Sequence, residues 1–182
     1  MGLYRGDLPS KIMKNLAFHR TTENGAAQII AQGIKCMSSQ GWELPDYKED
    51  AQGYENARQF ISSAGFKFQI RPLSWIKMYE AAEPNCWMMR RDFREVQSRL
   101  NSVFVRTGGV ETCWAPEGLT VAIDLDKVTA DTTTDGYGQY DAGNGIEDLQ
   151  VFGDIPASAV IGVVSDEWMT HHGFTVESGG LE

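Results

Sequence analysis

Cysteine is scarce in this chain: three in 182 residues, Cys36, Cys86 and Cys113, odd in number and far apart. No CxxC or His/Cys ligand spacing links them, which argues against both a disulfide framework and a zinc site and implies a reducing working compartment. Long apolar runs are absent too. Nothing approaches the ~18 residues a membrane span needs, and no charged-then-apolar export segment opens the chain, so a soluble protein acting without a membrane is expected. No GxxxxGK[ST] phosphate loop and no GxSxG nucleophile elbow occurs. Thr107-Gly108-Gly109 is too short to cradle a phosphate, and the His171-His172 pair reads as solvated rather than metal-binding. A surplus of positive charge is also lacking: the formal net charge is −9, which disfavours a broad nucleic-acid surface. Arg90, Arg91, Arg94 and Arg99 form a local basic cluster, best read as a solvated helix face.

What is present is a core. The chain is 42% hydrophobic, with five Trp, eight Phe and six Tyr, enough for one globular domain over residues 1–182. Leu16 to Arg20 alternates as a strand. Thr22 then caps a helix carrying Ala26, Ala27, Ile29 and Ile30 on one face, with Gly33 in a left-handed C-cap and Ile34 packing behind it. Residues 38–53 read as an exposed loop. Helical spacing recurs over Tyr54, Ala57, Phe60, Ile61 and Ala64, and again after Pro72 over Trp75, Met78, Tyr79 and Ala82. Between them, Phe66 to Ile70 alternates as a strand. Asp92 and Glu95 make a capping box for a helix bearing Phe93, Val96 and Leu100. The scatter of Trp42, Trp75, Met78, Trp87, Met88 and Met89 is most simply core.

The second half turns β-rich, with strands expected over Val103–Arg106, Leu119–Leu125, Leu149–Phe152, Val160–Val164 and Phe174–Glu177. Residues 129–145 hold no element, and a loop of that length is usually functional or disordered. The class is therefore α+β, helices early and a mostly antiparallel sheet late. At the end of the long loop stand Glu147 and Asp148, at the mouth of a strand. A carboxylate held there by a sheet suits a catalytic acid or base. His19 and Thr21, two residues apart on a strand, point to one side and can share a ligand group, with Arg20 between them.

Three blocks, in this order, resemble the ADP-ribosyltransferase superfamily: FHRTTENGAAQIIAQGI (18–34), GLTVAIDLDKV (118–128) and IEDLQVFGDIPASAVIGV (146–163). The first is similar to the opening His-x-Thr strand, helix and Gly-apolar unit of the diphtheria-toxin, poly(ADP-ribose) polymerase and RNA 2′-phosphotransferase branches. The second resembles the central strand with its terminal Asp. The third resembles the last conserved block, with a carboxylate at the strand start and a Gly-x-Ile-Pro turn. Aligning Gly153-Asp154-Ile155-Pro156 on that turn puts the catalytic carboxylate at Asp148, and a shift of one puts it at Glu147. LYRGD (3–7) and VFVRTGG (103–109) offer a cholera-type frame instead, with Arg5 supporting the NAD site and Thr107 as the matching hydroxyl.

The resemblance implies a split antiparallel sheet with a helical insertion over 38–101. It implies NAD as substrate, contacted by His19, Arg20 and Thr21 or by Arg5 and Thr107, and transfer of ADP-ribose to a protein or RNA acceptor with release of nicotinamide. Tyr137, Gln139, Tyr140 and Gln150 are then candidates for meeting the acceptor, and Tyr137, Tyr140 or Phe18 for walling the nicotinamide. A module of this kind looks like a bacterial toxin or effector domain. It would have a cognate immunity protein or antitoxin as partner, and would act in a reducing cytoplasm, either secreted or delivered as part of a larger effector. An RNA-directed enzyme of the same fold, or a non-catalytic binding domain on it, remains the alternative.

Overall fold

The computed structural model describes residues 2–63, 70–83, 95–112, 117–134 and 145–178. The chain divides into two compact units, residues 1–35 with 103–182, and residues 36–102.

The first unit is built on a six-stranded sheet. Its strands are β1 (Leu16–Thr21), β2 (Val103–Thr107), β4 (Leu119–Asp124), β5 (Thr132–Thr133), β6 (Glu147–Val151) and β7 (Val160–Val164), in the order β5-β6-β2-β1-β4-β7. Every neighbouring pair is antiparallel. Two short strands, β3 (Gly109–Glu111) and β8 (Thr175–Glu177), pair in parallel as a separate ribbon. The class is α+β with a mostly antiparallel sheet. β1 sits centrally because its apolar half is wanted on both faces: Leu16, Ala17 and Phe18 are all buried.

Alternation along each strand divides the residues between two faces. Leu16 and Phe18 join Ala122, Val164, Trp168 and Met169 in one core cluster, with Phe18 edge-on to Phe174 at 4.7 Å between ring centroids. Trp168 and Met169 come from a helix absent from the sequence reading, Asp166–His171, capped by Ser165, whose hydroxyl accepts from the Trp168 N–H at 3.0 Å. The two adjacent histidines lie at its C-terminal end, with His172 stacked on Trp168 rather than solvated. A second short helix, Ser10–Met13, precedes β1.

The helix expected after β1 spans Glu23–Gln32, with the Thr22 hydroxyl accepting from the Gly25 N–H at 3.1 Å. Gly33 ends it with φ 77° but an extended ψ of −169°, so it is not the left-handed cap expected. The reason is tertiary. Ile34 and Ile155 exchange backbone hydrogen bonds of 2.9 Å each way, and a Cβ on Gly33 would stand 2.0 Å from the Ile155 carbonyl oxygen. Only glycine supplies both the positive φ and the room. This bridge, with the Lys35–Asp154 ion pair at 3.0 Å, ties the first and last of the three sequence blocks together.

Among its described residues the second unit is helical. It holds Ala51–Ser63, Leu73–Ala82 and helical turns over 95–100, around a core of Leu44, Tyr54, Ile61, Ile70, Ile76, Val96 and Leu100. Leu73–Ala82 begins after Pro72, and its Leu73 N–H donates to the Glu55 carboxylate. Residues 38–53 are more than an exposed loop: Leu44 is buried, and its carbonyl accepts from the Gln97 amide at 2.6 Å. Trp75 and Met78 are 49% and 57% exposed, so they are not core residues, because Ile76 turns the other face of their helix inward. The strand expected over Phe66–Ile70 and the Asp92 cap fall outside the described residues, apart from Ile70 and Glu95.

Candidate functional site

The site is assembled on β1, β2 and β6. In β2 and β6, Arg106 stands opposite Asp148 and Thr107 opposite Glu147. Phe18 of β1 stands opposite Arg106, and continuing that register places Ala17 beside Thr107 and His19 beside Val105. Residues directly opposite share a face and those one apart do not. His19, Thr21, Thr107 and Glu147 therefore lie on one face, and Arg20, Arg106, Asp148 and Gln150 on the other.

Glu147 opens β6 and is exposed, and among the described residues no hydrogen bond or ion pair engages its carboxylate. Asp148 is engaged: its Oδ1 accepts from Arg106 Nε at 2.8 Å, while Arg106 Nη1 meets Glu111 Oε2 at 3.0 Å. Burial works against the charge on Arg106. The hydrogen bond and charge of Asp148, followed by those of Glu111, outweigh it and raise the guanidinium pKa above its ordinary value.

His19 is partly buried, and its Nδ1 lies 3.1 Å from the Phe104 carbonyl oxygen. A carbonyl only accepts, so in the neutral ring Nδ1 carries the proton and Nε2 presents a lone pair. Burial pushes the His19 pKa below 6.5, offset only in part by the bond to Phe104, which favours that neutral form. Two residues on, the Thr21 hydroxyl packs against the first turn of the following helix. A Cβ on Gly25 would lie 2.2 Å from Thr21 Oγ1, so Gly25 leaves the space that hydroxyl occupies.

Other candidates lie elsewhere. Arg20, beside His19 in sequence, reaches Thr120 Oγ1 at 3.0 Å and Asp166 Oδ1 at 3.3 Å on the opposite face. Arg5 is exposed on an N-terminal segment that pairs with β7, through the Tyr4 N–H to the Val163 carbonyl at 2.7 Å. Five strand-to-strand steps separate that segment from β6, roughly 24 Å, against two steps and roughly 10 Å for β1. Gln150 lies within β6 and is buried, so it does not belong to the loop. Asp124 is buried and caps the turn Leu125–Lys127, accepting from the Asp126 N–H at 3.1 Å. Tyr137, Gln139 and Tyr140 fall outside the described residues. Sequence reasoning did not reach Arg106 and Glu111. Their ion pairs depend on which strands are neighbours, and that is not written locally.

No protein-family model matches this chain, and neither a curated protein nor a solved structure does. Among the described residues, no cluster of His, Cys, Asp or Glu is arranged to hold a metal ion, and no helix is long and apolar enough to cross a membrane.

Proposed function

We propose that the chain is an NAD-dependent ADP-ribosyltransferase, a toxin or effector domain that transfers ADP-ribose from NAD to a macromolecular target. The observation that carries this reading is the common face of His19 and Glu147, with one strand between theirs. The two Cα atoms lie two strands across and two residues along, roughly 12 Å apart, a span suited to a ribose held between two side chains. The same face includes Thr21 and Thr107. The His19 frame is therefore favoured over Arg5, and Glu147 over Asp148.

In this reaction the bond from nicotinamide nitrogen to the ribose anomeric carbon breaks, and its electron pair leaves with neutral nicotinamide. Positive charge develops on the sugar, and the fixed Glu147 carboxylate stabilises it. The acceptor then attacks the anomeric carbon, forming the new glycosidic bond, and gives up its proton to water. His19 Nε2, an acceptor, takes a hydrogen bond from a ribose hydroxyl. Arg20 and Arg106 are both paired with carboxylates on the other face. That disfavours the RNA 2′-phosphate alternative, whose substrate calls for unpaired cations. A protein acceptor and a cognate immunity protein are the partners this reading implies.

The test is nicotinamide release from NAD by the purified protein, with and without cell lysate, beside Glu147→Gln. Release reduced by about 10²–10³-fold in the variant is expected, the usual cost of losing one preorganised electrostatic group. A folded protein that releases none under either condition sinks the reading and leaves a non-catalytic binding domain.

A further inference from the structure

We propose that Arg106 is a positioning residue for Glu147: by clamping Asp148 on one face of β6, it holds the neighbouring carboxylate on the other. The inference rests on the transferase reading for its kinetic arm alone. Glu147 and Asp148 are adjacent acids on a strand of period two, so a slip of one residue exchanges them between faces. The ladder to β2 sets the register of β6 along its whole length, and Glu147 and Asp148 stand at its first two positions. Among the described residues its outer neighbour, β5, pairs with Val151 and Gln150 at the other end of the strand, and the strand partner of Glu147, Asp148 and Leu149 is β2. The strand is entered through Gly145, at φ 79°.

Beside the ladder itself, the fork of Arg106 opposes a slip near Glu147. It donates to Asp148 at 2.8 Å and meets Glu111 at 3.0 Å, and with a side chain 26% exposed it is held from two strands at once. Glu111 belongs to β3, whose ribbon partner is β8. Arg106 therefore fixes Asp148 relative to an element outside the six-stranded sheet. A lysine supplies a point charge without the fork and cannot reproduce both contacts in this geometry. The backbones also meet at this end: a Cβ on Gly108 would lie 1.9 Å from the Gly145 carbonyl oxygen. That close approach requires glycine at 108, whereas the arginine selects which acid faces which way.

The experiment compares Arg106→Met and Arg106→Lys with the parent protein. In nicotinamide release, Arg106→Met should lower kcat by about 10–100-fold with KM for NAD within about threefold, because misplacing a catalytic group by about 1 Å costs up to about 10²-fold. Arg106→Lys should recover part of that loss. In a Glu147→Gln background, Arg106→Met should add less than about twofold, since the arginine acts through Glu147. The independent arm is amide hydrogen exchange. Residues 147–149 should exchange at least about tenfold faster in Arg106→Met, with β1 and β4 unchanged. Unchanged exchange at 147–149, or full additivity with Glu147→Gln, overturns the proposal. A parent protein that is folded but releases no nicotinamide refutes the transferase reading, and the exchange arm still decides whether Arg106 holds the register.

Discussion

On one face of strands β1, β2 and β6, Arg20, Arg106 and Asp148 are each tied into an ion pair. On the other face, one residue away along each strand, no such pair engages His19, Thr107 or Glu147 among the described residues. Neighbours in sequence thus make different contacts: Arg20 and Asp148 form ion pairs, while His19 is bonded through Nδ1 to the Phe104 carbonyl and Glu147 is exposed. A sheet allows this because its period of two separates adjacent side chains by its full thickness. Chemically similar neighbours such as Glu147 and Asp148 are therefore poor substitutes for one another.

The sharpest way to break the comparison is to truncate the two acids separately. Glu147→Ala should lower nicotinamide release by about 10³-fold, at the upper end for such a group, yet leave the denaturant midpoint nearly unchanged. Asp148→Ala should do the reverse in stability, costing about 1 kcal/mol after allowance for solvent screening of a half-exposed carboxylate, because it strands part of the charge on Arg106. Equal stability losses would refute the division between faces.

Proton binding gives a smaller effect. The folded-state pKa of His19 lies below its unfolded value, so the unfolded chain binds this proton first as pH falls. The contribution of neutral His19 is complete above about 6.5 and is lost as pH drops from there towards the folded pKa. Chemical denaturation at pH 7.5 and 5.5 should show a steeper loss in the parent protein than in His19→Gln. Matching slopes would show that the ring titrates as though in water. The smallest effect belongs to Arg5→Ala, which should leave NAD turnover within about twofold. A large loss there would revive the alternative frame in which the N-terminal segment lines the site.

Strand positions were largely legible from sequence. Val160–Val164 appears as expected and β1 runs one residue further than expected, since both are dense in β-branched or alternating apolar residues. β3 and β5, of three and two residues, are too short to produce a period. The helix Asp166–His171 did carry a signal, a Ser165 cap followed by two acids, but six residues give little amphipathic pattern. Of the candidate site, the residue types were readable and their grouping was not. Arg20 looked like His19's companion because they are adjacent, and only the strand's alternation sends it to Thr120 and Asp166. Arg5 sat in a plausible motif, and only the strand order removes it to the far edge.

The helical unit, residues 36–102, lies in the chain between β1 and both of the strands that flank it. On a ribosome adding about 5–20 residues per second, the central strand of the sheet emerges first and waits roughly 5–20 s for its neighbours. During that interval, Leu16–Thr21 offers two unsatisfied hydrogen-bonding edges and a buried-type apolar sequence, the pattern that invites mispairing. The helical unit has its own core and can condense meanwhile, so the nascent chain would carry a folded segment tethered to an unpaired strand. For such a polypeptide, holding β1 apart from other chains until Val103 appears is a demand on the cell during synthesis itself.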